Sequence, residues 1–301
     1  MATKQRSRSR RPHGSKDRAP RFVEPVLDPN WQNPYSPSAA ERHHNQRVVR
    51  RFALRRRLPV TIAVEALGVV LLVAGFFTTL VLSVVGVVLI VGYGFFAQRD
   101  LQRVARRGGT LGVQMLAALP PGGDATERLR LVTVLDRLAA TFGVDNVSAF
   151  VVADRGYNAA LVPDGANYSL FVTSSIMSDF ELIELEGVVA HCLARQRLGL
   201  LDRESLAAVT NLNDDARQNL AGQGKTYRAD EVAAASIRYP LGLANALRKC
   251  ARQRVTPDSF FVTATYAEWR WVFFDQWSDR PESDLSDLDD VELRARALEE
   301  W

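Results

Sequence analysis

An almost unbroken apolar stretch from Pro59 to Ala97 is the strongest constraint on how this chain folds. Only Glu65 carries a formal charge within it. A single helix over this stretch would rise roughly 58 Å at about 1.5 Å per residue, nearly twice the hydrocarbon thickness of a bilayer, which is about 30 Å. The stretch therefore predicts two transmembrane helices joined near residues 77–80, a helical hairpin that occupies residues 58–98.

Positive charge flanks this stretch on both sides. The sequence reads RVVRRFALRRR before it and QRDLQRVARRGG after it. Because cytoplasmic loops carry an excess of Lys and Arg, both ends of the hairpin are expected inside. We therefore expect an integral protein of the cytoplasmic or plasma membrane with both termini in the cytoplasm. Three roles stay open for Glu65: reaching the membrane interface, staying protonated or binding a partner.

Residues 1–57 carry fifteen Lys or Arg against four acidic residues, whereas the rest of the chain carries twenty-three against thirty. The segment is rich in Arg, Ser and Pro, so it cannot bury enough apolar surface to offset the entropy of ordering. We expect a disordered basic cytoplasmic tail that contacts anionic lipid of the inner leaflet. No folded nucleic-acid recognition module accompanies these charges, so nucleic acid is not an expected partner.

A linker is expected at residues 99–124 and a folded domain at 125–301. The segment ATERLRLVTVLDRLAATF predicts an amphipathic helix, and Gly143 is placed to end it. The runs NVSAFVVAD and YSLFVTSS predict two paired strands. The chain is therefore expected to be α+β, with a mainly helical domain and a small β-sheet. The apolar stripe predicted for the amphipathic helix that ends at Gly143 comprises Leu129, Leu131, Val132, Leu135, Leu138 and Ala139.

The segment SDFELIELEGVVAHCLARQRLG predicts a further helix from about Asp179 to Leu198. Ser178 is followed three residues later by Glu181, which is the pattern of a capping box. Gly199 is suited to end the helix, because glycine adopts the left-handed conformation readily.

Three motifs occur in order along the domain: AFVVADRGYNAALVPDG, FELIELEGVVAHCLARQ and TYRAD. Together with the hairpin they resemble the HtpX-like and CAAX-prenyl-protease family of membrane zinc endopeptidases. The corresponding regions of that family read P-x-V-x-V…N-A-F-A-x-G, L-x-x-E-L-x-A-V-L-A-H-E-x-x-H and E-x-x-A-D. The resemblance covers roughly Leu129 to the C-terminus and implies a zincin-type metallopeptidase domain that faces the cytoplasm.

The resemblance assigns a site to five positions. His191 stands at the first zinc ligand and Arg195 at the second, while Cys192 stands at the glutamate that serves as general base. Thr226 stands at the third ligand, because Asp230 matches the aspartate of E-x-x-A-D. Of the three ligands and the base, only His191 keeps the residue type of the family.

Arg195 argues against a metal at this site. Its guanidinium has no lone pair for coordination, and a dication about 4 Å away would be repelled by about 8 kcal/mol at an effective dielectric of about 20. We therefore expect a vestigial site with no metal, no other cofactor and no catalytic residue. His191 is expected instead in a hydrogen-bonded polar cluster with Glu184 and Arg195, with Asp230 as the candidate counterion.

Cys192 is not expected to act as a nucleophile. A thiol needs a base within hydrogen-bond reach, and His191 is its direct neighbour on the helix, about 100° around the axis. The other histidines lie in the predicted tail. Cys192 is interpreted as a half-buried packing residue, and with Cys250 as the one further cysteine no disulfide scaffold is expected.

Asn158, Ala159 and Ala160 occupy the place where the family presents an edge strand to its substrate. Two interpretations stay open: a strand that binds an extended peptide by strand addition, or an ordinary edge strand. A cluster of aromatic residues near the C-terminus is interpreted as core or interface packing. It comprises Trp269, Trp271, Phe273, Phe274 and Trp277.

Three functional hypotheses follow from the sequence. The favoured one is a metallopeptidase-like membrane protein without catalysis, a binding or regulatory module in membrane-protein quality control whose partner is a peptidase or an unfolded membrane-protein segment. The second is an active zinc endopeptidase with an atypical site, although no histidine follows His191. The third is a non-enzymatic membrane scaffold. The carboxylates that could bind zinc under the hypothesis of an active endopeptidase are Asp202, Glu204, Asp214 and Asp215.

Overall fold

The structure of this chain, a computed structural model, describes residues 35–222, 224–252, 258–276 and 291–301. It is mainly helical and contains one three-stranded sheet. The predicted α+β class is therefore confirmed. The predicted disorder of residues 1–34 lies outside the described residues.

A helical hairpin occupies the apolar stretch. Helix α1 spans Ala39–Phe77 and helix α2 spans Leu80–Gly108. The chain reverses at Thr78 and Thr79, so the position of the predicted turn is confirmed. The hydroxyl of Thr78 donates a hydrogen bond to the carbonyl oxygen of Ala74 at 2.8 Å, which ties the turn to the end of α1.

Glycines allow α1 and α2 to approach each other closely. A Cβ atom on Gly75 would lie 2.2 Å from the backbone nitrogen of Ser83, and one on Gly86 would lie 2.6 Å from the carbonyl oxygen of Gly68. Between these contacts, the hydroxyl of Ser83 donates to the carbonyl oxygen of Leu72 at 3.2 Å. Small residues at such crossings let helix backbones pack tightly, as they do in membrane helix pairs.

One described helical segment, Pro59–Phe77, is long and apolar enough to cross a membrane, and Leu80–Phe96 is a shorter apolar helix. The apolar side chains of both segments mostly point away from the hairpin. An exposed apolar area of this size is rare on soluble monomers and marks a surface that contacts a membrane or another protein. The exposed side chains include Ile62, Val70, Phe76, Val88 and Phe95.

Substituting Gly86 with Ala should weaken the hairpin, because the new Cβ would meet backbone atoms of Gly68 and Leu72. Overpacking of this kind costs on the order of 1–3 kcal/mol. Cysteines introduced by Leu72→Cys and Ser83→Cys report on the contact through their rate of disulfide formation, which should fall in Gly86→Ala. The matched control is Gly94→Ala, where a Cβ meets nothing within 4 Å. Equal rates in the two variants would contradict close packing of the helices.

The N-terminal half of α1 packs on the folded domain, so the predicted disordered tail is wrong for residues 39–57. Val48 and Phe52 pack against a buried cluster that includes Leu206, and Asn45 is buried between α1 and the domain. The polar composition of this segment is misleading because its few apolar residues recur at helical spacing on one face.

The predicted linker at 99–124 is also wrong. Helix α2 continues to Gly108, and helix α3 follows at Leu111–Ala118. Leu111 and Met115 are fully buried in a second core cluster. Because these residues are four apart, they lie on the same face of α3 and anchor it to the domain.

Helix α4 spans Ala125–Phe142 and ends at Gly143, whose φ is +61°, as the sequence predicts. The predicted stripe is wrong in part, since Leu129 and Val132 are exposed. The buried face is rotated around the axis, because residues at spacings of three and four from Leu131 form the continuous contact with the core. Its members are Leu131, Val134, Leu135, Leu138 and Phe142.

The sheet contains β1 (Val147–Val152), β2 (Ala159–Asp164) and β3 (Asn167–Thr173) in the order β1-β3-β2. Strand β3 pairs in parallel with β1 and antiparallel with β2. The predicted pairing of the two β-rich runs is confirmed. The third strand, β2, contains the segment that the resemblance assigns to substrate binding, and it lies at the edge of the sheet.

The remaining described helices are α5 (Ser174–Asp179), α6 (Leu182–Arg197), α7 (Leu201–Val209), α8 (Asp214–Ala221), α9 (Lys225–Ile237), α10 (Pro240–Arg252), α11 (Ala264–Trp269) and α12 (Val291–Glu299), with short 3-10 turns at Phe260–Val262 and Arg270–Val272. Helix α6 lies at the centre of the domain and packs against α4, α9, α10 and β2. Its second half is therefore buried on every side.

Candidate functional site

Helix α6 begins later than the sequence predicts. Ser178 belongs to α5, and an extended backbone at the buried residue Phe180 separates the two helices. Ser178 is therefore not the cap. The backbone N–H of Glu181 donates instead to Oε2 of Glu184 at 2.8 Å. The predicted start is wrong because the chain is interrupted at Phe180, between α5 and α6, where the ring is buried. The capping pattern of Ser178 and Glu181 does not predict this interruption.

The end of α6 is confirmed. Gly199 follows the helix with φ +70°, and the backbone N–H of Leu200 donates to the carbonyl oxygen of Arg195 at 3.0 Å. His191 and Arg195 lie one turn apart within this last part of the helix, and both side chains are almost completely buried.

His191 belongs to a buried ionic network with Asp230 and Arg294. Its Nδ1 lies 2.7 Å from Oδ1 of Asp230. Arg294, from the C-terminal helix α12, donates to the same carboxylate through Nε at 2.7 Å and Nη2 at 3.0 Å. The pairing that the sequence interpretation gives His191 with Asp230 is therefore present, whereas the contribution of Arg294 was missed because nothing in the sequence relates position 294 to position 230.

Burial determines the protonation of this network. It lowers the pKa of His191 to about 4, although Asp230 acts in the opposite direction. Burial also opposes ionisation of Asp230, but Arg294 and His191 outweigh it, so the pKa of Asp230 is lowered. At neutral pH the imidazole is thus neutral and donates its Nδ1–H to the carboxylate. Its Nε2 has no hydrogen-bond partner in the described part of the chain, and the ring of Phe274 packs edge-on with a centroid separation of 5.0 Å.

The depressed pKa of His191 predicts a pH-dependent stability. The unfolded chain takes up a proton on this residue near pH 6.5, whereas the folded chain does so near pH 4. The contribution is therefore complete above pH 6.5 and is lost as the pH falls toward 4, by on the order of 3 kcal/mol in total. Thermal unfolding of the full-length protein in detergent, followed by tryptophan fluorescence between pH 8 and about 5, should show about two thirds of this loss, because the remainder falls between pH 5 and 4.

The loss should largely disappear in His191→Gln, which removes the titrating group while keeping an amide near Asp230. His43→Gln is the matched control, because His43 is exposed on α1. Asp230 and Glu204 stay ionised over this range, since the pKa of each is lowered. A pH dependence that is the same in His191→Gln as in the unsubstituted protein would contradict the assignment.

Arg195 belongs to a second buried network, with Glu204 of α7 and Lys225 of α9. The Nε of Arg195 donates to Oε2 of Glu204 at 2.9 Å, and its Nη2 contacts the same oxygen. Lys225 Nζ lies 3.1 Å from Oε1 of Glu204. Burial opposes the charge on Glu204, but Arg195 and Lys225 outweigh this effect and lower its pKa. Two cations therefore share one carboxylate inside the protein.

The single polar cluster of His191, Glu184 and Arg195 that the sequence suggests is wrong. Glu184 lies near the start of α6, where Lys249 donates to its Oε2 at 2.6 Å. Arg195 pairs with Glu204 rather than with the His191 network. The three side chains have separate partners because each faces a different neighbouring element, which the pattern of a single helix cannot specify.

The remaining vestigial positions are packing positions. Cys192 is completely buried rather than half-buried, and burial raises the pKa of its thiol to about 12, so the thiol stays protonated. Thr226 is buried on α9, one residue after Lys225. The expectation that His43 and His44 lie in a disordered tail is wrong, because both are on α1.

The outer edge of β2 is occupied by the chain itself. The backbone N–H of Phe274 donates to the carbonyl oxygen of Ala159 at 2.7 Å, and Phe273 forms an antiparallel bridge with Ala160. The side-chain amide of Asn158 holds the next residue at both of its polar backbone groups. Its Nδ2 donates to the carbonyl oxygen of Asp275 at 2.9 Å, and its Oδ1 accepts from the Asp275 N–H at 3.0 Å.

The residues just before this contact are held by the Arg195 network. Arg195 Nη1 donates to the carbonyl oxygen of Val272 at 2.8 Å. Lys225 Nζ donates to the carbonyl oxygen of Trp271 at 3.1 Å. We call residues 271–275 the docked segment. Its backbone is hydrogen-bonded by Asn158 and Ala159 on one side and by Arg195 and Lys225 on the other, and its side chains are buried in the core.

The aromatic cluster packs as predicted, within the part of the chain that the structure describes. Trp269, Trp271, Phe273 and Phe274 are buried, and the rings of Phe273, Phe261 and Tyr266 pack against one another. Trp277 lies outside the described residues. Core packing by these rings helps to fix the docked segment in place.

The donor set at this site does not fit zinc. Arg195, at the position assigned to the second ligand, is a cation without a lone pair, and the carboxylate nearest to it is already shared with Lys225. Among residues 35–222, 224–252, 258–276 and 291–301, no group of three His, Cys, Asp or Glu side chains is placed to hold a metal ion. Asp214, a candidate ligand under the alternative hypothesis, lies 3.4 Å from Arg270.

No protein-family model matches this chain, and comparison with curated proteins finds no significant match.

Proposed function

We propose that this protein is a membrane-anchored, metallopeptidase-like module that faces the cytoplasm and binds extended protein segments without cleaving them. The observation that carries the proposal is the docked segment. Residues at the positions that the resemblance assigns to substrate binding and metal ligation, Asn158 and Arg195, hold the backbone of a segment that leaves a 3-10 turn and runs along the edge of β2. A role in membrane-protein quality control is proposed from the resemblance to HtpX-like peptidases, together with this mode of binding.

The hydrogen bonds of the docked segment favour recognition of backbone rather than of sequence. Ala159 binds an amide group of the segment, and Asn158 binds both polar groups of one residue. Strand addition of this kind derives its affinity from main-chain hydrogen bonds. A module that accepts unfolded segments of many proteins needs such tolerance, so an extended, unfolded segment or a peptidase partner fits this edge.

The docked segment would act as an internal competitor in this proposal. It is part of the same chain, so its effective concentration at β2 is high, and a partner must displace it. Weak binding in the resting state and stronger binding after displacement are the expected consequences. The same segment would protect the edge of β2 from aggregation, since an unpaired strand edge readily pairs with other chains.

Membrane anchoring through two crossings is a further part of the proposal. Pro59–Phe77 is apolar and long enough to cross, and Leu80–Phe96 would return the chain. The Arg-rich flanks favour the cytoplasmic side for both ends. Exposed arginines on α1, among them Arg47 and Arg51, would lie beside the anionic inner leaflet and add electrostatic attraction.

Zinc analysis tests the absence of catalysis. Full-length protein purified without added zinc should contain no stoichiometric zinc, because Arg195 and Lys225 place two cations beside the site. It should also leave a denatured substrate protein intact. His191→Ala serves as the comparison. Zinc at one ion per chain that is lost in His191→Ala would establish the alternative of an active metallopeptidase and refute the proposal.

Peptide binding tests the proposed strand groove. The variant Phe274→Pro removes the N–H that donates to Ala159 and the core packing of the buried Phe274 ring, so it should weaken the hold of the domain on the docked segment. A fluorescent peptide with the sequence of residues 270–276 should then bind the full-length variant at least about tenfold more tightly than the unsubstituted protein, since the tethered competitor is removed.

The matched control is the same peptide with proline at the position of Phe274, which should bind neither protein. A cooperative thermal transition establishes that the variant is folded. Failure of the unmodified peptide to bind the folded variant would contradict the proposed strand groove.

A further inference from the structure

Glu65 stands on the outer surface of the hairpin. The face of α1 that contacts α2 is formed by residues such as Gly68 and Gly75, which are buried. The side chain of Glu65 lies outside this contact and is exposed. It has no hydrogen bond or ion pair with any other residue of the structure as described.

The position of Glu65 along α1 places its carboxyl group deep in the apolar stretch. It follows Arg57 by eight residues, about 12 Å of helix, and precedes Phe77 by twelve residues, about 18 Å. The two methylene groups of glutamate are too short to return the carboxylate to the interface from this depth. A charged carboxylate facing hydrocarbon is costly, so such residues are rare and mark functional contacts.

The surface around Glu65 suits another helix. Exposed apolar side chains border it one turn before and one turn after on α1, at Ile62 and Val69. Gly68 packs against Ile90 of the antiparallel α2, so Glu65 lies near the level of Tyr93. Gly92 and Gly94 flank Tyr93 on opposite sides of α2, and a Cβ atom on either would meet nothing within 4 Å. A helix can approach closely at such a place.

We propose that this face of the hairpin binds a transmembrane helix of another membrane protein that carries Lys or Arg at the depth of Glu65. The partner must be a different protein, because the stretch from Pro59 to Ala97 contains no Lys or Arg. A second copy would bring a second carboxylate to the contact rather than a cation. Pairing with a cation removes the cost of the isolated charge, and this gives the interaction its specificity.

This inference rests on the proposed membrane insertion of the hairpin. The experiment therefore tests membrane insertion first and the binding of a partner helix at Glu65 afterwards. Full-length protein is reconstituted in vesicles of phosphatidylcholine and phosphatidylglycerol and extracted with alkaline carbonate. Protein that stays in the vesicles allows the test of Glu65. Protein that is released would refute the proposed membrane insertion, and with it the inference that depends on it.

The probes are synthetic transmembrane helices of Leu and Ala with a single Lys at the depth of Glu65, or with Leu at that position. Energy transfer between labelled probe and labelled full-length protein measures their association. The unsubstituted protein should bind the Lys probe about tenfold more tightly than the Leu probe, which corresponds to the 1–2 kcal/mol of polar contacts between membrane helices. Glu65→Leu should abolish this preference.

Charge reversal provides the control for nonspecific effects. Glu65→Lys should lose the preference for the Lys probe and prefer a probe with Glu at the same position. Because Glu65 lies outside the contact between α1 and α2, these variants should insert like the unsubstituted protein. Equal binding of the Lys and Leu probes by the unsubstituted protein, or a preference that persists in Glu65→Leu, would overturn the inference. Energy transfer between two labelled copies that depends on Glu65 would overturn it as well, since the occupant would then be a second copy.

Discussion

The buried ion pair between Arg195 and Glu204 is the interaction on which the rest of the domain depends. A guanidinium that is removed from water needs an acceptor for each of its donors. Here one carboxylate and the backbone carbonyl groups of Trp271 and Val272 supply them. The same cation that makes the position unsuitable for a metal therefore also holds the docked segment. The chemistry that excludes a metal ligand at position 195 and the occupation of the strand edge therefore have a common physical cause.

The network of His191, Asp230 and Arg294 connects the C-terminal helix α12 to the docked segment. Arg294 reaches from α12 to Asp230, and its Nη1 lies 3.4 Å from the carbonyl oxygen of Phe274. The two networks thus hold the docked segment from both sides, with His191 and Phe274 in contact between them. Removal of one partner from a buried pair costs about 3–5 kcal/mol because it leaves an uncompensated charge. The two ionic networks are therefore a structural centre of the domain.

Helix α1 joins this domain to the membrane stretch without a flexible connection. Asn45, in its first half, donates to the carbonyl oxygen of Leu198 and accepts a hydrogen bond from Arg203. Glu65, in its second half, is exposed. Asn45 and Glu65 are twenty residues apart on one continuous helix, about 30 Å. A partner that binds the hairpin would therefore act on an element that packs directly against α7, the helix that supplies Glu204.

Local patterns in the sequence determined the features that depend on neighbouring residues alone. The apolar stretch and its turn, helix α4 with Gly143, the paired strands and the end of α6 at Gly199 all follow from periodicity and from the conformational freedom of glycine. The packed first half of α1 and the buried helix α3 were predicted wrongly, because a few apolar residues at helical spacing suffice when another element covers them. The pairing of His191 with Asp230 was accessible through the motif spacing.

Tertiary structure alone decided which charges meet. Arg195 with Glu204 and Lys225, Asp230 with Arg294, and the docked segment on β2 join residues of different elements, and no periodicity or cap relates them. Burial also sets the protonation states of the buried groups, since it keeps His191 neutral and the thiol of Cys192 protonated. The sequence by itself suggested, through a resemblance, a site at His191, Cys192, Arg195 and Thr226. The ionic networks of Arg195 and Asp230 were visible only in the tertiary structure. A buried charge pairs with a side chain that the packing of other elements brings close to it.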